Sequence, residues 1–192
     1  MLELQGYLLR HQPDIVHFSG HGSPASEIIL EDSEGLSKPV SARALSQLFA
    51  VLKDNIKCVV LNACYSEQQA QAIAQHIDCV VGMSRAIGDT AAISFAVAFY
   101  QALGFGRDLK TAFDLGCVQI DLESLSEQET PRLLANRTPP DEIVLIQASS
   151  ASARELTSPA DKNGEDSDPG MPDFEKSLDK IQRLARFFRK LR

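Results

Sequence analysis

The segment Lys57-Cys-Val-Val-Leu-Asn62 decides how the rest of the sequence is interpreted. Its four central residues are all apolar, and the run does not alternate with polar residues. Such a run is typical of a strand that is covered on both faces, as strands of parallel sheets are. A second apolar run, Cys79-Val-Val-Gly82, follows after a stretch of helical periodicity. The sequence therefore predicts two neighbouring parallel strands joined by a helix.

Helical patterns flank the first of these strands on both sides. Before it, Ser41 is a suitable N-cap for a helix that ends near Leu52. After it, Ser66-Glu-Gln-Gln69 has the spacing of a capping box, which predicts the start of the next helix. Further helical patterns occupy residues 89–103, closed by a glycine, and residues 108–120.

Three more strands are predicted from shorter apolar runs, at residues 14–19, 27–30 and 142–146. Strands and helices thus alternate along the chain, and several of the strands are apolar throughout. This order indicates an α/β protein with a mostly parallel sheet between two layers of helices.

The composition is that of a soluble globular protein. Hydrophobic residues make up 44% of the 192 residues, which excludes a wholly disordered chain. The sequence has no apolar run of about 18 residues, and its first residues lack the features of a signal peptide. The four cysteines have neither CxxC nor metal-ligand spacing, which argues against a zinc site and a disulfide framework. We expect a bacterial-style, cytoplasmic protein with reduced cysteines.

Charge and composition divide the chain into three parts. Residues 1–147 are predicted to form the globular domain, residues 148–173 a flexible linker, and residues 174–192 a basic amphipathic helix. The net charge of the chain is −7. Residues 174–192 alone have a net charge of +5, from seven basic and two acidic side chains. The remaining 173 residues carry −12, which does not favour nucleic acid or an anionic membrane.

The predicted basic helix has three candidate binding partners. Its basic residues surround an apolar stripe, a pattern that fits an acidic protein, an anionic membrane or the acidic body of its own chain. We expect a sensor or adaptor protein, or the chain's own body, and consider a membrane less favoured. The apolar stripe consists of Phe174, Leu178, Ile181, Leu184, Phe188 and Leu191.

Reactive side chains follow two of the predicted strands. His21 comes directly after the first strand, within Gly20-His-Gly22, and Cys64 follows the central strand within Asn62-Ala-Cys-Tyr-Ser66. The carboxyl ends of neighbouring parallel strands meet at one edge of a sheet, where sites form. An imidazole next to a thiol can activate it as a nucleophile. The backbone amides of Gly22 and Cys64 are candidates for stabilising an oxyanion.

Each of these residues also has a structural interpretation. Cysteine is often a buried core residue, and we interpret Cys58, Cys79 and Cys117 in that way. His17, in mid-strand, fits a packed and hydrogen-bonded histidine. The residues alone leave two interpretations of His21 equally open, a turn residue and a catalytic base. A third interpretation, in which the His21 loop binds an anion or nucleotide, is weak because no lysine follows it.

Three ordered motifs resemble one known family. They are Ile15-Val-His-Phe-Ser-Gly-His-Gly22, Val59-Val-Leu-Asn-Ala-Cys-Tyr-Ser66 and Val81-Gly-Met-Ser-Arg-Ala-Ile-Gly-Asp89. Together with Ala98-Phe-Tyr-Gln-Ala-Leu-Gly104 they resemble the CHAT domain, a caspase-like family of clan CD cysteine peptidases related to separase and gingipain. The resemblance covers about residues 7–147 and implies a caspase-haemoglobinase α/β/α fold.

The resemblance also implies a function. It implies a cysteine endopeptidase that cleaves protein substrates without metal or cofactor and that a sensor partner regulates. His21 matches the catalytic histidine, Cys64 the nucleophile that forms the acyl-enzyme, and Gly22 the oxyanion contributor. Asp89 matches an acidic residue that lines the pocket for an Arg or Lys before the scissile bond. We favour Asp89 as the N-cap of the helix that begins there, a role that one residue can combine with the pocket role.

The sequence departs from the family pattern before the histidine motif. CHAT domains of this type usually carry a further strand–helix–strand segment there, and this sequence has only about fourteen residues in its place. We therefore expect a sheet that lacks these strands and has an exposed edge. The alternative to a peptidase is a catalytically silent CHAT-type module that binds other proteins.

Overall fold

We describe the fold from a computed structural model of the chain, which defines residues 2–25, 27–31 and 34–146. The predicted linker at 148–173 and the predicted basic helix at 174–192 lie outside these residues, so both stay predictions. The described elements are, in chain order, α1 (Leu2–His11), β1 (Ile15–Ser19), β2 (Gly22–Ser23), β3 (Glu27–Glu31), β4 (Ser37–Val40), α2 (Ala42–Leu52), β5 (Cys58–Asn62), α3 (Glu67–Ile73), β6 (Cys79–Met83), α4 (Asp89–Gly104), α5 (Leu109–Leu122), β7 (Pro131–Leu134) and a 3₁₀ turn (Pro140–Glu142).

Two sheets are formed by these strands. The main sheet has the order β1-β5-β6-β7, in which β1, β5 and β6 are parallel and β7 is antiparallel to β6. A small antiparallel sheet, β2-β3-β4, lies between β1 and α2 along the chain. The prediction of a mostly parallel sheet is therefore confirmed.

Helices cover both faces of the main sheet, because side chains of a strand point alternately to opposite sides. Cys58 and Val60 of β5 pack in a cluster with residues of α4 and α5. Val59 and Leu61 of the same strand pack in a second cluster with residues of α2 and α3. The result is the three-layer α/β/α arrangement of a caspase-like fold.

The first strand is the exposed edge of the main sheet. All residues of β5 and β6 are buried, whereas β1 has no fully buried residue. Within the described chain no strand pairs with the outer side of β1. An exposed edge was expected from the sequence.

His17 is a packed histidine, as predicted. Its Nδ1 atom lies 2.7 Å from the hydroxyl of Tyr100 on α4, so β1 and α4 are joined by a hydrogen bond. Burial lowers the pKa of His17 to about 4, which keeps the ring neutral near pH 7. Burial also raises the pKa of Tyr100. His17 and Tyr100 therefore have a structural role. The candidate imidazole of the site is His21.

Three helix starts agree with the sequence, but one predicted side-chain cap does not. Ser41 caps α2 by accepting a hydrogen bond from the amide of Ala44, as predicted. Asp108 caps α5 by accepting from the amide of Thr111 at 2.7 Å. The capping box at Ser66 is wrong, because the Ser66 hydroxyl donates to Leu61 O at 2.8 Å and accepts from Met83 N at 3.0 Å. This side chain joins β5 to β6 and leaves the helix uncapped.

The last predicted strand is also wrong. Residues 143–146 form no strand, because Ile143 O accepts a hydrogen bond from Leu109 N at 3.0 Å and thereby holds this segment against the start of α5. The strand that pairs with β6 on the side away from β5 is β7, which was not predicted from the sequence. With four residues that include a proline and an arginine, β7 is too short and too polar to show a strand pattern.

The contact between α4 and α5 yields a stability prediction. A β-carbon at Gly116 of α5 would lie 2.6 Å from the ring of Phe95 and 3.1 Å from its carbonyl oxygen. We expect Gly116→Ala to lower the free energy of unfolding by about 1–3 kcal/mol, because one helix must shift away from the other. The measurement is chemical denaturation of the full chain followed by circular dichroism.

Gly104, at the end of α4, provides the matched control. No atom lies within 4 Å of a β-carbon built there. We expect Gly104→Ala to leave the stability unchanged or to raise it by up to about 1 kcal/mol through helix propensity. Equal midpoints for the two variants would contradict the described packing of α4 on α5.

Candidate active site

The register between β1 and β5 sets the geometry of the site. The two parallel strands are paired from Ile15 with Cys58 to Ser19 with Asn62. A further hydrogen bond, from Gly20 N to Asn62 O at 3.3 Å, extends the pairing beyond the strand end. His21 and Cys64 each follow the last register pair by two residues. The structure thus brings these two sequence-predicted residues to one level at the same edge of the sheet.

Gly22 lies directly against the backbone of Cys64. A β-carbon at position 22 would overlap the carbonyl oxygen of Cys64 and lie 3.3 Å from its amide nitrogen. Only glycine leaves room for this approach. The loop that carries His21 is therefore packed on the residue that carries the candidate nucleophile.

The small sheet holds the other side of the His21 loop. The carbonyl oxygen of His21 accepts a hydrogen bond from Ile29 N of β3 at 3.1 Å, and Gly22 pairs with Ile28. Ile28 is buried in the core cluster beneath α2 and α3. The His21 side chain is exposed, so a substrate can reach it from solvent.

Cys64 is half-buried at the end of the central strand. Its Sγ atom lies 3.7 Å from the carbonyl oxygen of Ile87, to which the thiol can donate. On its inner side it packs against the cluster formed with α4 and α5. The core therefore packs against one side of Cys64, and the residue stays partly accessible to solvent.

A tight turn after Cys64 presents the thiol. Tyr65 has a φ of 56°, in the left-handed region that non-glycine residues seldom occupy, and its amide donates to Arg85 O at 3.3 Å. Ser66 is buried and tied to both β5 and β6. The backbone on either side of Cys64 is therefore fixed, and unusual backbone of this kind is frequent at functional sites.

Asn62 links the site to α4, a role that was not predicted from the sequence. Its Nδ2 atom donates to Ala92 O at 2.9 Å, and the side chain is almost fully buried. Cys64 packs against the same core cluster as Ala92, so Asn62 and Cys64 both contact the α4 side of the sheet. The available signal was a polar residue at the end of an apolar run, since a buried amide needs hydrogen-bond partners.

Asp89 directly follows the loop that contacts Cys64, two residues after Ile87. It is the exposed first residue of α4, and Gly88 is the N-cap, so the interpretation of Asp89 as the N-cap is wrong. The amide of Gly88 donates to Glu127 Oε1 at 2.8 Å and is thereby satisfied from outside the helix. No contact of the described structure tests the predicted role of Asp89 in a substrate pocket.

The other cysteines differ from Cys64 in their surroundings. Cys58 and Cys79 are fully buried, as predicted, and a hydrogen bond with Cys79 together with burial raises the pKa of Cys58. Burial and the nearby Asp114 raise the pKa of the half-buried Cys117 to about 11. Thiols with raised pKa values are poor nucleophiles near pH 7. Cys64 therefore remains the best candidate.

The described residues have neither a cluster of metal ligands nor a helix that could span a membrane. No group of three or more His, Cys, Asp or Glu side chains there is arranged to hold a metal ion. Within the same residues, none of the helices has the length and apolar character needed to cross a membrane.

Comparison with known proteins identifies the family. Residues 3–132 match the family model of the CHAT domain. A Roc-COR-CHAT protease from an unknown prokaryotic organism is 29% identical over 113 residues, which are 56% of this chain and 11% of that protein. A probable protease from Gillisia limnaea is 28% identical over 112 residues, which are 56% of this chain and 20% of that protein.

These relatives are far longer than the part that is aligned with this chain, so the likeness concerns one domain of each. The family match, in contrast, spans most of the described residues and includes all three motifs around His21, Cys64 and Asp89. The chain belongs to the CHAT domain family.

Proposed function

We propose that this chain is a cysteine endopeptidase domain in which Cys64 is the nucleophile and His21 the general base and acid. At the level of the family, the protease names of its relatives and the CHAT domain support a peptidase. The observation that supports Cys64 and His21 as the catalytic pair is the contact of Gly22 with the Cys64 backbone, which holds the His21 loop next to Cys64.

The proposed reaction has two steps. In the first, Cys64 Sγ attacks the carbonyl carbon of the scissile peptide bond while its proton passes to His21. The C–N bond then breaks, the amine leaves with the proton from His21, and a thioester to Cys64 remains. In the second step, a water molecule gives a proton to His21 and attacks the thioester. The acid product is released, and Cys64 regains its proton.

The backbone amides of Gly22 and Cys64 are proposed to stabilise the negative oxygen of the tetrahedral intermediate. Preorganised amides of this kind are effective because they need no rearrangement during the reaction. Packing of Gly22 on Cys64 and the fixed turn at Tyr65 support such preorganisation.

The substrates are proposed to be proteins with an Arg or Lys before the scissile bond. Asp89 would supply the carboxylate for that side chain, since it is exposed and close in sequence to the Ile87 carbonyl beside Cys64. All four cysteines are free thiols, which fits the proposed cytoplasmic location. We further propose that a sensor partner raises a lower activity that the chain has alone, and full activity of the purified chain alone would refute that part.

The first test is covalent labelling of the full chain with an acyloxymethyl ketone peptide probe. We expect Cys64→Ala and His21→Ala each to reduce the labelling rate at least about 100-fold, because one lacks the nucleophile and the other its base. Cys117→Ala is the matched control and should label like the wild type. Labelling is measured by mass spectrometry.

Two outcomes would contradict the proposed peptidase. Labelling that survives in Cys64→Ala would assign the nucleophile to another residue. A folded wild-type chain that neither reacts with the probe nor cleaves peptides would favour the silent module that binds other proteins. Circular dichroism of each variant shows whether it is folded.

A second prediction concerns Gly22. We expect Gly22→Ala to lower peptidase activity and probe labelling at least about tenfold, because the added methyl group would push the His21 loop away from Cys64. Gly6→Ala on α1 is the control, since a β-carbon there has no neighbour within 4 Å. Wild-type labelling rates in Gly22→Ala would contradict the proposed arrangement.

A third prediction concerns Asp89. We expect the wild type to react faster with an Arg-containing probe than with the Leu analogue, and Asp89→Asn to reduce that ratio at least about tenfold through loss of the ion pair. Glu67→Gln is a control that removes another acidic side chain at the start of a helix. An unchanged ratio in Asp89→Asn would contradict the role in substrate binding.

A further inference from the structure

A groove lies between the outer surfaces of α4 and α5, away from the candidate active site. It encloses about 320 Å³ and is lined by Ile93 and Val97 of α4, by Gln119 and Glu123 of α5, and by smaller residues between them. Ser94 Oγ donates to Glu123 Oε2 at 2.5 Å across its floor. The two helices thus form a fixed surface with an open side.

The α4 side of this groove carries large apolar side chains that face solvent. Ile93 is 63% exposed and Val97 61% exposed, and they are one helical turn apart on α4. On α5, the other helix of the pair, Leu115, Val118 and Leu122 are exposed apolar residues. Exposed apolar residues beside a groove are a feature of binding sites for another segment or protein.

The region around the groove is acidic. Residues 89–129, which contain both helices, have seven acidic and two basic side chains and therefore a net charge of −5. Asp121 and Glu123 are exposed on α5 itself, and Asp114 on the same helix is paired with Lys110. An occupant with an apolar stripe and an excess of basic residues would fit both properties.

Residues 174–192 of the same chain have these properties. Their apolar residues are spaced by four, three, three, four and three positions, which places them on one side of a helix. Their net charge is +5, opposite and equal to that of residues 89–129. A helix of this length would be about 28 Å long and α4 is about 24 Å long, so the two can pack side by side.

The connection between the groove and this segment is short. Ile143 is hydrogen-bonded to Leu109 at the start of α5, and Ile146 is the last described residue before the segment. A flexible linker of 27 residues, the number at 147–173, would have a root-mean-square span of about 29 Å. Tethering at such a span gives an effective concentration in the millimolar range.

We propose that residues 174–192 fold back as a helix and dock in the groove between α4 and α5. The apolar stripe packs on Ile93, Val97 and Leu122, and the basic residues face the acidic residues of α5. A separate protein or a second copy has no tether to this surface, which is why the chain's own segment is the favoured occupant. The docked helix would be a third element of the layer formed by α4 and α5.

The test is hydrogen–deuterium exchange of the full chain, with Val97→Lys in the groove and Val51→Lys as control. Val51 is 77% exposed on α2, on the opposite face of the sheet. In the wild type and in Val51→Lys, we expect amides of residues 178–191 to exchange at least about tenfold more slowly than an unstructured peptide. In Val97→Lys that protection should be lost, while α4 and α5 themselves stay protected.

Three results would overturn the proposal. The first is absence of protection at 178–191 in the wild type. The second is protection that persists in Val97→Lys, which would place the segment elsewhere. The third is protection that appears only as the protein concentration rises, together with dimers in sedimentation, which would assign the groove to a second copy. Each result is independent of peptidase activity.

Discussion

The parallel pairing of β1 with β5 is the interaction on which the candidate site depends. It aligns Ser19 with Asn62, so both strands end at the same edge of the sheet. Gly22 closes the arrangement, because its lack of a side chain lets the loop with His21 rest on the Cys64 backbone. The small antiparallel sheet fixes that loop from its other side through the hydrogen bond from Ile29. An exposed histidine and a half-buried cysteine are thereby held by backbone contacts.

Core packing of α4 is coupled to this site through three polar contacts. Asn62 donates to Ala92, the Cys64 thiol approaches Ile87, and His17 is bonded to Tyr100. Each contact joins a strand of the main sheet to α4 or to the loop before it. Because α4 is in turn packed tightly on α5, a displacement of that helix pair would move the loop that borders Cys64. The proposed docking of residues 174–192 on the outer side of the same pair would add to its rigidity.

Sequence patterns predicted the elements whose burial is continuous, and they failed where a tertiary contact decides the structure. The apolar runs of β5 and β6 are buried on both faces only if helices cover both sides of the sheet, so the fold class could be predicted from them. Ser66 looked like a helix cap, but its hydroxyl is used by Leu61 and Met83 of two strands. Residues 143–146 have the composition of a strand, yet they pack at the start of α5. The meeting of His21 and Cys64 was predictable from parallel strand ends, whereas the need for glycine at position 22 follows only from the register.

The most direct measurement is a crystal structure of the chain after reaction with an acyloxymethyl ketone peptide. We expect a thioether between the inhibitor and Cys64 Sγ, the His21 ring near hydrogen-bond distance (about 3 Å) of that sulfur, and the inhibitor carbonyl oxygen facing the amide of Gly22. Attachment to another cysteine would contradict the proposed dyad, as would a His21 ring that points away from an inhibitor bound to Cys64.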